Sequence, residues 1–277
     1  MNRIVNLFQN SDKSSGGESS AGLTRPGLLN VYFTAGFPEL NDTLRVLQAL
    51  QEGGADLVEI GMPYSDPVAD GETIQQSNDR ALENGMSVRI LFDQLQGMRE
   101  TVSVPVLLMG YINPVLQYGI ESFCAKCAEV GVDGLILPDM PMDVYLDEYK
   151  SIFDAHGLLN IFLVTPQTSE KRIRQIDEVS AGFIYTVSSA SVTGSKSGVS
   201  GDMEAYFERL DAMNLRNPRL IGFGIKDHDT FVRASNHAAG AIIGSAFIRV
   251  LQESTDLEND IKSFVRSVKS SSEAIPA

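Results

Sequence analysis

Residues 57–71, LVEIGMPYSDPVADG, pass from an apolar run into a loop that carries two prolines and ends at a glycine. Glu59 lies inside the apolar run and Asp70 near the end of the loop. A carboxylate that is buried without a partner is costly or becomes neutral through a raised pKa. A Glu in a buried strand, followed by an Asp-bearing loop, therefore indicates two carboxyl groups with different roles. This stretch alone leaves an alternative open, in which Glu59 faces water on an edge strand and Asp70 caps the next helix.

The same pattern recurs along the chain: a short apolar run, a break rich in Gly, Pro and Asp, and then an amphipathic helix. Near-continuous apolar strands that alternate with helices predict parallel strands covered by helices. Eight such units in about 250 residues predict an α/β fold, a (β/α)8 TIM barrel with a short N-terminal helix, rather than a doubly wound open sheet. The eight runs are residues 28–34, 57–62, 105–111, 134–139, 160–165, 183–188, 219–224 and 239–245.

The domain organisation follows from the composition at the two ends of the chain. Residues 1–27 should hold one or two helical turns over residues 2–9 and then a mobile Ser/Gly-rich linker. A single catalytic barrel domain is expected at 28–268 and a flexible tail at 269–277. The last apolar run leads into a predicted long terminal helix that reaches Lys269.

The charge balance limits the classes of partner. The 277 residues carry a formal net charge of -14, and the sequence pI is about 4.6. Nucleic acids and anionic membranes bind through dense positive charge, so neither is an expected partner. An anionic ligand would have to be held largely by backbone amides and helix N-termini.

Two further features bear on the compartment of the protein. Cys124 and Cys127 form a C-x-x-C pair inside a probable helix, with no second pair and no nearby His, so buried reduced thiols are favoured over a redox or zinc site. No apolar run reaches the roughly 18 residues that span a bilayer, and the N-terminus shows no signal-peptide pattern. We therefore expect a cytoplasmic protein.

Small residues follow the last three predicted strands. Barrel enzymes work at the carboxyl ends of their strands, and many hold phosphate there through amide N–H groups and a helix N-terminus. Each glycine alone could be a turn residue, but together they predict a phosphate site. Its candidate residues are Gly194, Gly224, Gly244 and Ser245.

The sequence lacks the residue patterns of metal-dependent, nucleophilic and Schiff-base catalysis. The three histidines show no metal-ligand spacing, so no metal site is expected, and no G-x-S-x-G nucleophile elbow is present. Lys196 and Lys226 fall on loops rather than at a strand end, which disfavours Schiff-base chemistry. Carboxylate acid–base catalysis on a phosphorylated substrate remains.

Six stretches together resemble the tryptophan synthase alpha chain family. The resemblance runs from residue 28 to about residue 250 in the order expected on a barrel, and the first stretch is highly specific. The stretches are EIGMPYSDPVADG (59–71), TAGFP (34–38), LLMGYINP (107–114), DGLILPDMP (133–141), GFGI (222–225) and GS (244–245).

The resemblance implies a lyase that cleaves indole-3-glycerol phosphate to indole and glyceraldehyde 3-phosphate without a cofactor of its own. Indole would pass through a tunnel to a tryptophan synthase beta chain that carries pyridoxal phosphate, within an alpha2-beta2 heterotetramer. The loops after strands 2 and 3, with residues 63–67 and Asn113-Pro114, are the implied contact surface.

The resemblance also implies roles for individual residues. Glu59 would be the general acid–base group, Asp70 would accept the indole N–H hydrogen bond and stay ionised, and Tyr185 would hydrogen-bond near Glu59. Apolar pocket and lid candidates are Tyr32, Leu108, Tyr111, Leu135, Phe223 and Thr193. In the lid loop, Ser191 stands where the family usually has a glycine, whereas Thr193 and Gly194 are kept.

Two rival functions remain open at this point. One is a sugar-phosphate isomerase built on the same barrel, which the apolar and aromatic surroundings of Glu59 disfavour. The other is an inert subunit that only activates a partner. Such a subunit would have no physical need for a carboxylate inside a strand, so the presence of both Glu59 and Asp70 argues against it.

Overall fold

The protein is described by a computed structural model over residues 2–13, 27–67, 70–188, 201–222 and 224–270. Its strands form one parallel sheet, and each of the eight predicted apolar runs contributes a strand. The strands are β1 (Leu28–Thr34), β2 (Leu57–Gly61), β3 (Val106–Met109), β4 (Gly134–Ile136), β5a (Leu159–Asn160), β5b (Leu163–Val164), β6 (Ile184–Val187), β7 (Arg219–Gly222) and β8 (Gly240–Ile243).

The sheet closes into a barrel through the fifth strand. β1 pairs with β2 on one side and with β8 on the other. β5a pairs with β4, and β5b pairs with β6. The predicted single run at 160–165 is therefore two short pieces, separated by Ile161 and Phe162, that hydrogen-bond to neighbours on opposite sides. The (β/α)8 prediction is confirmed.

Helices cover the outside of the barrel. They are α1 (Arg3–Lys13), α2 (Thr43–Gly53), α3 (Glu72–Glu83), α4 (Val88–Gln94), α5 (Ile112–Tyr118), α6 (Ile120–Val130), α7 (Met142–Val144), α8 (Lys150–Ala155), α9 (Glu170–Val179), α10 (Gly201–Ala212), α11 (His228–Ser235), α12 (Ser245–Glu253) and α13 (Leu257–Lys269). A 3-10 turn spans Met98–Glu100, and a π-helical segment, Tyr145–Tyr149, joins α7 to α8.

Side-chain caps fix where several helices begin. Ser87 and Ser169 accept a hydrogen bond from the backbone N–H three residues on, at the starts of α4 and α9. Asp227 and Thr230 form a reciprocal capping box at the start of α11. Each cap satisfies a backbone donor that has no partner within its helix, so the polar residues before the apolar patterns set the helix boundaries.

The predicted long terminal helix was wrong, because the structure divides it into α12 and α13. The carboxylate of Asp260 accepts hydrogen bonds from the Ser254 hydroxyl and from the backbone N–H groups of Thr255 and Asp256. These bonds stabilise a turn between the two helices. A local side-chain acceptor thus outweighs a continuous helical pattern.

The interior of the barrel and the layer beneath the helices form two separate apolar clusters. Side chains alternate along a strand, so Leu107 faces inward while its neighbour Leu108 packs with the helices. Helix α1 closes the amino-terminal end, where Phe8 lies 5.7 Å from Phe183 between ring centroids. Arg3 anchors this helix by an ion pair of 3.0 Å to Asp133. The helix is longer than the two turns expected from the sequence.

Candidate active site

Glu59 lies at the middle of β2 and points into the barrel interior. It is fully buried, with 0% of its surface exposed. Burial raises the pKa of Glu59 to about 8, and a hydrogen bond from the Asn30 side-chain amide to Oε1 works in the opposite direction. The interpretation of Glu59 as an edge-strand residue facing water is excluded. At neutral pH this carboxyl group is therefore mostly protonated.

Asp70 lies two residues before α3, at the carboxyl end of β2. The Tyr111 hydroxyl donates a hydrogen bond of 3.2 Å to its Oδ2 atom. Burial raises the pKa of Asp70, and the bond from Tyr111 lowers it. One carboxylate oxygen of Asp70 is therefore held by the protein.

A cavity of about 220 Å³ opens at the carboxyl ends of the strands. Burial, followed by the charges of Glu59 and Asp70, raises the pKa of Tyr185, so this phenol lies close to both carboxyl groups. No hydrogen bond joins Tyr185 to Glu59 within the described part of the chain. Residues lining the cavity include Tyr32, Asp70, Ile74, Met109, Tyr185 and Ile242.

Two glycines make room for the cavity's tyrosines. A Cβ atom added to Gly61 would overlap the Tyr32 hydroxyl, and one added to Gly222 would lie 2.5 Å from the Tyr185 hydroxyl. The phenol end of each tyrosine therefore lies over the bare backbone of the next strand. The absence of a side chain at these two positions sets the shape of the cavity.

The predicted anion-binding residues that the structure describes also line this cavity. Gly224, with a φ of 78°, Gly244 and Ser245 all line it. Ser245 is the first residue of α12, whose leading N–H groups have no partners within the helix. Lys226 and Arg249 line the cavity too. The sequence indicated a solvated loop position for Lys226 and gave no sign of a role for Arg249.

Several predicted residues are not brought to this cavity. Leu108 and Leu135 lie in the cluster beneath the helices, so the prediction that they line the pocket was wrong; Met109, one position from Leu108, lines it instead. A shift of one residue moves a side chain to the opposite face of a strand. The predicted residues Thr193, Gly194 and Phe223, together with Ser191, lie outside the described residues.

The cysteine pair has no role in this site. Cys124 and Cys127 are buried in α6 as free thiols, and burial raises the pKa of Cys124 to about 12. The prediction of reduced thiols within a helix is confirmed. Over the residues that the structure describes, no cluster of three or more His, Cys, Asp or Glu side chains is arranged to hold a metal ion.

The fold and the cavity together define the class of the protein: a (β/α)8 barrel with its pocket at the carboxyl ends of the strands, which is the arrangement of barrel enzymes. The family model described as "Tryptophan synthase alpha chain" matches residues 24–275. The chain therefore belongs to the tryptophan synthase alpha chain family.

Individual relatives agree with the family model. The tryptophan synthase alpha chain of Flavobacterium johnsoniae is 55% identical over 269 residues, covering 97% of this chain and 100% of that protein. That of Flavobacterium psychrophilum is 58% identical over 226 residues, covering 82% and 89%. A crystal structure of the Legionella pneumophila alpha chain superposes with a TM-score of 0.83 at 30% identity, covering 97% of this chain and 96% of that one.

Family membership confirms the expected activity. The protein is a lyase of tryptophan biosynthesis that cleaves indole-3-glycerol phosphate to indole and glyceraldehyde 3-phosphate. The sugar-phosphate isomerase and the inert subunit are set aside. Among the described helices, none has the length and apolar character needed to cross a membrane.

Proposed function

We propose that Glu59 is the general acid–base group of the cleavage and that Asp70 stabilises the charge that develops on the indole ring. Glu59 delivers its proton to C3 of the indole ring, which leaves the ring positively charged. The bond between C3 and the glycerol side chain then breaks, and its electron pair returns to the ring. The side-chain hydroxyl becomes the aldehyde and gives its proton to the Glu59 carboxylate, which restores the starting state.

The observation that carries this proposal is the burial of Glu59 in an apolar barrel. An ordinary glutamate, with a pKa of 4.5, is ionised at neutral pH and cannot act as an acid there, whereas burial raises the pKa of Glu59 to about 8. A group whose pKa is near the working pH both donates and accepts a proton efficiently. The same residue can therefore serve both proton transfers.

The position of Asp70 supports its complementary role. Tyr111 binds one oxygen of its carboxylate, and Asp70 lines the cavity that we assign to the indole ring. A carboxylate that accepts the ring N–H becomes a stronger partner as positive charge develops on that nitrogen. It therefore stabilises the transition state more than the bound substrate.

We assign the phosphate group of the substrate to the other end of the cavity. Gly224, Gly244 and Ser245 offer backbone and the start of α12, and Gly194 is the fourth predicted phosphate-binding residue. Lys226 and Arg249 add positive charge at the rim of a protein whose net charge is -14. Backbone amides and a helix N-terminus are well suited to a phosphate dianion.

The remaining proposals concern the setting of the enzyme. We propose that it works in the cytoplasm, without a cofactor of its own, as the alpha subunit of an alpha2-beta2 complex in which the beta chain carries pyridoxal phosphate. We assign residues 1–27 to an N-terminal segment, residues 28–268 to the catalytic domain and residues 269–277 to a tail. Leu116, which is 47% exposed on α5 beside Asn113-Pro114, supports the contact surface after β3.

The test is release of indole from indole-3-glycerol phosphate by the wild-type protein and by Glu59→Gln, each alone and with a beta chain. Glutamine keeps the shape of the side chain but carries no transferable proton, so we expect no measurable cleavage from a folded variant. Glu83→Gln is the matched control, because the Glu83 side chain is 71% exposed. Near-normal turnover by Glu59→Gln would overturn the assignment, and no acceleration by a beta chain would overturn the partnership.

A further inference from the structure

Asn30 is an amide in the middle of an otherwise apolar strand. It lies in β1 between Leu29 and Val31 and is fully buried, with 0% of its surface exposed. A buried amide without hydrogen bonds destabilises a protein, because the amide loses its bonds to water. A buried asparagine inside a barrel strand is therefore expected to serve either the fold or the chemistry of the site.

The contacts of Asn30 point to chemistry rather than to the fold. Its side-chain Nδ2–H group donates to Oε1 of Glu59. Its Oδ1 atom is buried and has no hydrogen-bond partner among the described residues. Within that part of the chain, the amide thus bonds to no backbone group and to no other side chain, and Glu59 is its one hydrogen-bond partner.

The strand register explains why these two residues meet. Asn30 is paired with Leu57 and Tyr32 with Glu59. Asn30 and Tyr32 are two residues apart, so they project from the same face of β1 toward the barrel interior. Asn30 therefore lies one step below Glu59, on the amino-terminal side, while the cavity lies above at the carboxyl ends of the strands.

We propose that Asn30 is a positioning residue for Glu59, holding Oε1 from beneath so that Oε2 is the oxygen that transfers protons to and from the substrate. The proposal rests on the assignment of Glu59 as the acid–base group. Oε2 is buried and has no hydrogen-bond partner among the described residues, so it is the oxygen of Glu59 that the protein leaves unbonded. A carboxyl group held at one oxygen keeps a single orientation, and such placement controls the rate of proton transfer.

The bond also sets the pH range in which Glu59 works. Burial raises the pKa of Glu59, and the N–H donor from Asn30 lowers it, because the donor favours the ionised form. Loss of the donor therefore moves the pKa further above neutrality. The first step needs the protonated form of Glu59 and the last step needs its carboxylate form. A higher pKa would make the carboxylate form too scarce at neutral pH for the last step.

The other titratable groups near Glu59 do not obscure this effect. Tyr32 on β1 and Tyr185 on β6 both have a pKa raised by burial, so they stay neutral near pH 8. Asp70 is the other carboxyl group at the strand ends, and Tyr111 is its hydrogen-bond donor. All four groups are unchanged in variants at position 30.

The experiment measures the pH dependence of kcat for indole release by the full-length protein with its beta chain. Asn30→Val removes the amide, and Asn30→Asp keeps its shape but replaces the donor with a second carboxyl group. Asn160→Leu is the matched control: Asn160 on β5a is a buried asparagine whose Oδ1 atom also has no partner among the described residues. The pKa of Glu59 is followed independently by carbon NMR of labelled glutamate carboxyls, with the Glu59 signal assigned by its loss in Glu59→Gln.

We expect the alkaline limb of the kcat profile to move up by about one pH unit in Asn30→Val and at least as far in Asn30→Asp, where the two carboxyls share a proton. At neutral pH, kcat should fall by about tenfold or more, and KM should change little because Asn30 lies beneath the carboxyl group. The NMR titration should show the same upward shift, and Asn160→Leu should show none.

Two results would refute the role of Asn30, and a third would refute the acid–base role of Glu59 instead. A kcat that falls equally at all pH values, with an unshifted Glu59 titration, would make Asn30 a structural residue. A shift of the same size in Asn160→Leu would also refute a specific role. An active Glu59→Gln variant would instead refute the acid–base assignment, while a shifted NMR titration in Asn30→Val would still show that Asn30 controls the pKa of Glu59.

Discussion

The burial of Glu59 predicts that it makes folding stability depend on pH in a way that one substitution removes. The pKa of Glu59 is raised from its ordinary value of 4.5 to about 8 in the folded protein. Its contribution to stability is therefore fully present below about pH 4.5 and is lost as the pH rises through about 8. Each unit of difference corresponds to about 1.4 kcal/mol, so between about pH 5 and about pH 8 this group lowers the free energy of unfolding by about 3 kcal/mol.

Glu59→Gln removes the titration but keeps the shape and polarity of the side chain. We expect the variant to gain stability relative to the wild-type protein as the pH rises, by about 3 kcal/mol across that range. The assay is urea unfolding followed by circular dichroism at a series of pH values. Most other titrating groups are common to both proteins, so their contributions largely cancel in the difference.

A matched comparison makes this result decisive. Glu83→Gln removes an exposed carboxyl group of the same type and is measured at the same pH values, as the control for the loss of a surface glutamate. If the Glu59→Gln difference does not change with pH, or falls as the pH rises, then Glu59 does not hold its proton in the folded protein. Glu59 would then have no proton to donate at neutral pH and could not serve as the acid of the cleavage.

Three other substitutions test separate parts of the structure. Asp70→Asn should lower kcat for indole release by about a hundredfold with little change in Tm, and an unchanged kcat would remove Asp70 from the reaction. Gly61→Ala places a Cβ atom where the Tyr32 hydroxyl lies, so urea unfolding should show a loss of about 2 kcal/mol; an unchanged midpoint would mean that the tyrosine moves aside freely. Asp133→Asn removes the carboxylate at 2.6 Å from Arg99 and should lower the unfolding free energy by about 3 kcal/mol without changing kcat of the folded enzyme, whereas a reduced kcat would connect this ion pair to the site.

The architecture could be predicted from the sequence because a parallel barrel leaves a simple pattern. Each strand is buried on both faces, so it appears as a short continuous apolar run, and each helix carries an amphipathic pattern. The division between α12 and α13 could not be read in this way. It depends on the side chain of Asp260, which satisfies backbone and hydroxyl donors over the preceding turn.

The burial of each strand on both faces also explains why Leu108 and Leu135 were wrongly predicted to line the pocket. In an alternating strand, polarity shows which face is inside, but in the run PVLLMG both faces are apolar. Nothing in that run distinguishes Leu107 and Met109, which face the interior, from Leu108, which packs with the helices. The carboxyl groups were easier to find, because Glu59 interrupts an apolar run and its chemical type is unusual there.

Asn30 also interrupts an apolar run, but its meaning depends on a partner that lies 29 residues away, which only the sheet register brings close. The choice of an amide at this position has a physical reason. A cation at about 4 Å would favour the carboxylate by about 4 kcal/mol, or about three pKa units, and would return Glu59 close to its ordinary value. A neutral N–H donor contributes about 2 kcal/mol, so it orients the carboxyl group and limits the rise in pKa without removing it. A side chain that must both give and take a proton at neutral pH is therefore better served by a buried amide than by an ion pair.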